Sequence, residues 1–417
     1  VNRRCEREQS QTCLSYADRA EQSPQGNVPN KRAQSQVYLN YAEHEEHLHK
    51  ENVPNLRFPE FSKPYSQTTI SKLATIVGGG TPDTIVQEYW NGGIQWFTPS
   101  EIGKKKYADK SERTISQEGL NNSSAKLLPI NTILLSTRAT IGESSIAKVE
   151  CCTNQGFQSL IANEKIVCYE YMYYLVATLK KELIRKSCGS TFLEISANEL
   201  RKIKTFVPTK AEQNKVVSIL SLLDERIATQ IKIIEKLESL IKGLCQKLTQ
   251  QGNPNTALNE ALVCCSSTLQ ESSVQEAGDY PVYGATGVCG YTDTPEVDGD
   301  SILIIKDGAS VGVTYYALGK YSAIGTLNRL VAKRGYSLRY LYYCLKVFNF
   351  APYRTGLAIP HIYFRDYGKA KVWCPSLDEQ QRIADALSKV ELKIAIEKSL
   401  LEQLYSQKRF LLQEMFI

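Results

Sequence analysis

Two sets of polar and cationic side chains stand where a chain would need them to hold a polyanion. The first comprises Thr98, Ser100, Lys104, Lys105 and Lys106 in one short run, Gly80 and Thr81 in the loop before it, and Arg138 just after an apolar stretch. The second is Lys306, Arg329, Arg354 and His361. Lys and Arg pair with phosphate oxygens, and polar groups on loops reach base edges in a groove. The chemistry on offer is therefore nucleic-acid binding. Each of these residues taken singly is an ordinary solvated charge; as sets on loops they become candidates.

Signs of bond-making chemistry are missing. No G-x-x-x-x-G-K-[ST] loop occurs, and the glycines of 284–290 lack G-x-G-x-x-G spacing and read as a turn. No Asn-Pro-Pro-Tyr or Asp-Pro-Pro-Tyr is present, so the chain does not read as an amino-methyltransferase. His361 is the only histidine beyond residue 50, which excludes a duplicated histidine site. His44, His47 and His49 do not follow H-E-x-x-H and have no cysteine beside them, so no metal site is expected.

Composition sets the bounds. The 417 residues suffice for two or three domains, and 42% hydrophobic with 23% charged residues fits a soluble globular chain. The net charge of +6 permits a nucleic-acid partner without demanding one. Twelve cysteines without C-x-x-C read as reduced, buried small side chains in a cytoplasmic protein. No apolar run approaches the ~18 residues of a membrane span. Residues 1–52, rich in Gln, Glu, Arg and Asn, read as a poorly ordered arm.

The elements that must position the two sets are duplicated. Residues 208–227 and 375–394 align without a gap at an offset of 375 − 208 = 167 residues, each with a proline ahead of Glu212-Gln213 or Glu379-Gln380. Upstream, Ile133-Leu134-Leu135 matches Ser301–Ile305, Arg138–Gly142 matches Gly308–Gly312, and Tyr171–Tyr174 matches Tyr340–Tyr343. The segments before each strand share little, so a common scaffold carries different loops. Tyr169–Arg185 reads as one helix, Ser196 opens a short one, and Thr205-Phe206-Val207 reads as a strand.

Each proline introduces a heptad pattern. Leu220, Ile227, Ile234 and Ile241 step by seven, accompanied by Leu223, Leu237 and Leu244, with Gln230 the exception. The second seam holds Leu387, Val390, Ile394, Leu401, Leu404 and Leu411, with Glu397 the exception and Lys408 an interruption. Such apolar stripes need a partner, and packing the two helices together supplies one. A helix of about 35 residues spans roughly 50 Å. DNA half-sites one turn apart lie about 34–36 Å apart. The expected fold is α+β: two α/β blocks separated by two long helices in an antiparallel coiled coil, with pseudo-twofold character. The blocks are expected at 53–208 and 253–375, with helices at 209–252 and 376–417.

The paired Pro…Glu-Gln helices, Gly78-Gly79-Gly80-Thr81-Pro82, Ile94–Pro99, Arg138–Gly142 and Tyr280–Ala285 together resemble the specificity subunit of type I restriction-modification systems over about residues 53–417. The resemblance implies two target recognition domains. Each would read one half of a bipartite asymmetric site in double-stranded DNA, with helices that set the spacing and dock two methyltransferase (modification) subunits. It implies no catalysis and no cofactor in this chain; S-adenosylmethionine, ATP and Mg would belong to the modification subunits and a restriction/translocase subunit. A coiled-coil assembly protein with two ligand-binding heads is the alternative.

Overall fold

The computed structural model describes residues 52–189, 193–356 and 358–417. The arm expected over residues 1–52 lies, except for Asn52, outside the described residues. The chain forms two compact units. One takes residues through Ile219 together with Phe410–Ile417; the other is Leu220–Arg409. Among the described residues no helix is long and apolar enough to cross a membrane.

The first unit runs β1 (Ser66–Thr69), α1 (Ile70–Leu73), β2 (Ala74–Gly78), β3 (Trp90–Phe97), β4 (Tyr107–Ala108), β5 (Arg113–Ile115), α2 (Gln117–Asn121), β6 (Ile133–Leu135), β7 (Ser144–Ala147), β8 (Cys151–Thr153), β9 (Gln158–Ala162), α3 (Tyr169–Thr178), α4 (Lys180–Arg185), α5 (Ala197–Lys202) and β10 (Lys204–Val207). The larger sheet has the order β2-β9-β6-β7-β4 and the smaller β5-β3-β8. The run Ile133-Leu134-Leu135 is fully buried because β6 lies inside the larger sheet, covered on both faces. The helix expected at Tyr169–Arg185 is two. The Leu179 N–H reaches the carbonyls of both Leu175 and Val176, a tightened turn that ends α3. Ser196 caps α5 by accepting a hydrogen bond from the Glu199 N–H.

The long α6 (Lys210–Thr249) follows. The second unit then holds β11 (Thr256–Ala257), α7 (Leu258–Ala261), β12 (Leu262–Ser266), β13 (Tyr280–Gly284), β14 (Gly287–Thr292), β15 (Val297–Asp298), β16 (Ser301–Ile305), β17 (Thr314–Ala317), β18 (Lys320–Ala323), β19 (Leu327–Ala332), α8 (Leu338–Lys346), α9 (Phe364–Tyr367), β20 (Lys371–Val372) and α10 (Leu377–Glu414). Its sheets are β12-β19-β16-β17 and β14-β13-β18-β15.

The segments that share little sequence share topology. β3 pairs in parallel with β8, Gln95 opposite Cys151, and β13 pairs in parallel with β18, Val282 opposite Ser322. The stretches Ile94–Pro99 and Tyr280–Ala285 thus supply the same strand of the smaller sheet. Each block also enters and leaves through one ribbon. Ser66 lies opposite Val207, and Thr256 opposite Val372.

The repeated glutamine explains the Pro…Gln spacing. Gln213, fully buried, donates from Nε2 to the carbonyls of Pro208 and Ile166, both at 3.0 Å, and its Oε1 accepts the N–H of Cys168, the residue that opens α3. Gln380 repeats two of these bonds: Nε2 donates to the Pro375 carbonyl at 2.9 Å, and Oε1 accepts the N–H of Ser337, which opens α8. Each amide ties the start of a long helix to the start of the tyrosine-rich helix beside it. Gln380→Leu leaves those buried backbone groups unpaired and is expected to cost about 2 kcal/mol in urea denaturation; a loss below about 0.5 kcal/mol would mean that water replaces the amide.

The helix seam is laid down as the heptads require. Within the second unit Leu220, Leu223, Ile227, Ile234, Ile241, Leu387, Ile394 and Leu404 are buried, and Leu237, Leu244, Val390 and Leu401 are half-buried. Leu411, half-buried, belongs to the first unit. The two exceptions to the pattern meet each other: Gln230 Nε2 donates to the Glu397 carbonyl at 3.0 Å and to its carboxylate. Lys408 pairs with Asp224 at 2.6 Å and Lys398 with Glu238 at 2.7 Å. From the Asp224–Lys408 pair to the Glu238–Lys398 pair, residue numbers rise along α6 and fall along α10, so the two helices run antiparallel.

Candidate nucleic-acid interface

In the first unit the run after β3 is a braced turn. The Thr98 N–H and Oγ1 both donate to Glu101 Oε2, at 2.7 and 2.6 Å, and the Glu112 N–H donates to Glu101 Oε1 at 2.6 Å. One carboxylate therefore fixes the turn, with Ser100, Lys104 and Lys105 exposed around it. Thr81, half-buried, donates its hydroxyl to Gln155 Oε1 at 2.5 Å.

Two of the candidates face inward. Gly80 is buried, its carbonyl accepting the Trp96 indole N–H at 2.9 Å. A Cβ there would come within 2.3 Å of the Ala125 nitrogen, and one on Gly79 within 1.9 Å of the Asn154 carbonyl oxygen. Close backbone approach requires glycine at both positions. Lys106 donates Nζ to the Tyr174 hydroxyl at 3.0 Å, lies 3.5 Å from Glu170 and sits over the Tyr174 ring. Sequence spacing grouped it with Lys104 and Lys105; its contacts tie it to α3.

Arg138 is exposed at the tip of the loop after β6 and donates Nε and Nη2 to one oxygen of Glu194, at 3.0 and 2.6 Å. The loop turns on Gly142, whose φ of +87° suits glycine and whose Cβ would strike Lys180.

In the second unit the candidates gather around a carboxylate. Asp307 takes the Lys306 ammonium at 2.5 Å on one oxygen and His361 Nδ1 at 2.7 Å on the other. Burial would raise its pKa, but hydrogen bonds from His361 and Lys306 outweigh that and hold Asp307 below the usual carboxylate value. Arg354 donates to the Val311 carbonyl at 3.0 Å, bracing the loop that carries Asp307. Arg329 stands apart, half-buried on β19 with Cys265 and Leu303 as its neighbours in register.

Sequence spacing missed the acidic partners Glu101, Glu194 and Asp307. The 167-residue repeat held one usable signal, since it carries Glu194 onto His361. Arg113 was also missed; its guanidinium lies 3.5 Å from the centroid of the Trp90 ring, which packs edge-on to Trp96. The paired cysteines Cys151 and Cys152 are buried on β8, and burial raises their thiols to about 12 and about 11, as inert side chains require.

The family described as type I restriction modification DNA specificity domain matches residues 63–239 and 263–406. The type I restriction enzyme MjaIX specificity subunit of Methanocaldococcus jannaschii is 36% identical over 182 residues, 43% of this chain and 42% of that one. The EcoprrI specificity subunit of Escherichia coli is 24% identical over 350 residues, 77% and 86% of the two chains. The chain thus spans under half the length of the first of these relatives. The crystal structure of the S subunit from M. genitalium superposes with a TM-score of 0.56 at 19% identity, over 88% of this chain and 99% of that one.

Proposed function

Because the chain belongs to the type I restriction modification DNA specificity family, we propose that it is the sequence-reading subunit of such a complex. Each block reads one half of a bipartite, asymmetric DNA target; the long helices set the spacing between the halves and dock two methyltransferase subunits. The chain itself catalyses nothing. Methyl transfer from S-adenosylmethionine falls to those subunits, and ATP- and Mg-dependent translocation and cleavage to a restriction subunit. The observation that carries this reading is the double family match, on two units that repeat one scaffold and differ in their loops. The same match leaves the assembly-protein alternative without support.

The test is DNA binding by the chain with its modification subunit. Binding that neutralises several phosphates is expected to weaken by about a thousandfold between 50 and 200 mM salt. Lys104→Gln and Lys105→Gln are each expected to lower the slope of log affinity against log salt by about one, equally for all sequences. A mixture that retards no duplex at low salt contradicts the proposal.

A further inference from the structure

The two loops that follow the central strands are held by the same backbone bridges. In the first unit Arg138 bridges Glu194, and Glu194 exchanges N–H and carbonyl with Cys188, both at 3.0 Å. In the second, Asp307 bridges His361, and His361 exchanges with Thr355 at 2.7 and 2.9 Å. The Ile195 N–H donates to the Thr137 carbonyl as the Ile362 N–H donates to that of Lys306. Sequence alone sets Arg138 against Gly308; the bridges move the match by one residue, to Asp307.

At this matched place the side chains pair in both units but with reversed polarity. The first unit puts the cation on the strand loop and the carboxylate opposite; the second puts the carboxylate on the strand loop and the imidazole opposite. The contacts are alike, 2.6 and 2.7 Å, and all four side chains are partly exposed, Arg138 at 48% and Asp307 at 27%. A pair that served only to hold the loop would have no reason to reverse, because the bridges beneath it did not change. Gln213 and Gln380, which do serve the scaffold, kept both identity and partners. Nor are the groups used up. Arg138 retains guanidinium N–H groups beyond the two on Glu194, and each Asp307 oxygen retains acceptor capacity.

Resting on the function proposed above, we infer that this matched position determines specificity in both blocks: Arg138 donates to guanine in one half-site, and Asp307 accepts from the amino group of cytosine in the other. Arg is suited to guanine O6 and N7, and a carboxylate to cytosine N4. The low pKa of Asp307 keeps it an acceptor at neutral pH.

The test selects bound duplexes from a random-sequence pool using the chain in complex with its modification subunits. The wild type is expected to fix a guanine in one half and a cytosine in the other. Arg138→Ala should relax that one guanine and weaken binding to the preferred sequence about tenfold to a hundredfold; Asp307→Ala, which removes the acceptor, should relax the one cytosine and leave the first half unchanged. An unchanged motif with either variant, or a uniform loss at every position as a phosphate contact would give, overturns the inference while leaving the proposed function intact. A wild-type complex that selects no sequence overturns the proposed function itself, and the inference with it.

Discussion

Glu212→Ala lowers the stability of the first unit by about 3 kcal/mol, while Glu379→Ala, at the same place in the repeat, costs under about 1 kcal/mol. The sequence makes these two glutamates look equivalent. The structure buries one and leaves the other half-exposed. Glu212 is 1% exposed and takes Arg57 Nε at 2.7 Å and Nη2 at 2.9 Å. The Tyr65 hydroxyl lies 3.4 Å from the same carboxylate and 3.3 Å from the Met415 carbonyl. Burial, reinforced by that carboxylate, pushes the Tyr65 phenol well up, so it remains a donor. Removing Glu212 takes the carboxylate from the Arg57 guanidinium, whose side chain is only 11% exposed. Glu379 instead pairs with Arg382 one turn along its own helix, where water replaces the lost contact. Urea denaturation of the three chains decides the matter; equal losses at the two positions would show that the Arg57 pair is as dispensable as a surface one.

Exchanging residues 66–207 for the corresponding block of another family member is expected to replace one half of the methylated motif outright and leave the other half untouched. The reason is the two-stranded ribbon. Ser66 and Val207 face each other across β1 and β10, so both cuts fall on one rung. Arg57 and Glu212 lie outside the exchanged segment and keep their contact. Gln213 also stays, and it needs only backbone groups from the incoming block at Ile166 and Cys168. Sequencing of methylated sites in a host that carries the exchanged chain reads the result. Alteration of both halves would mean that the blocks do not read independently.

Contiguous apolar runs made the central strands Ile133–Leu135 and Ser301–Ile305 legible in the sequence, because strands buried on both faces carry no alternation to obscure them. Heptads did the same for α6 and α10, since an a/d seam is a local pattern. The smaller sheets were not legible. Their strands are broken by Asn91-Gly92-Gly93 and by Gly284, Gly287 and Gly290, and the β3–β5 pairing shifts register between Trp90 and Ile94. Among the candidate DNA-facing residues, charge marked Arg138 and His361, but what each touches lies more than fifty positions away, Glu194 at 56 and Asp307 at 54. The contact of Lys106 was hidden for the same reason: its partner Tyr174 is 68 residues distant.

Gln230 touches Glu397, the residue that fills its own place in the other copy. A perfect gene duplication would have set twins face to face on this rung. Two carboxylates confined there would repel, and one would be driven to hold a proton. Amide against acid removes the conflict. Some of the difference between the halves is thus imposed by the chain's need to fold back upon itself, before any base is read.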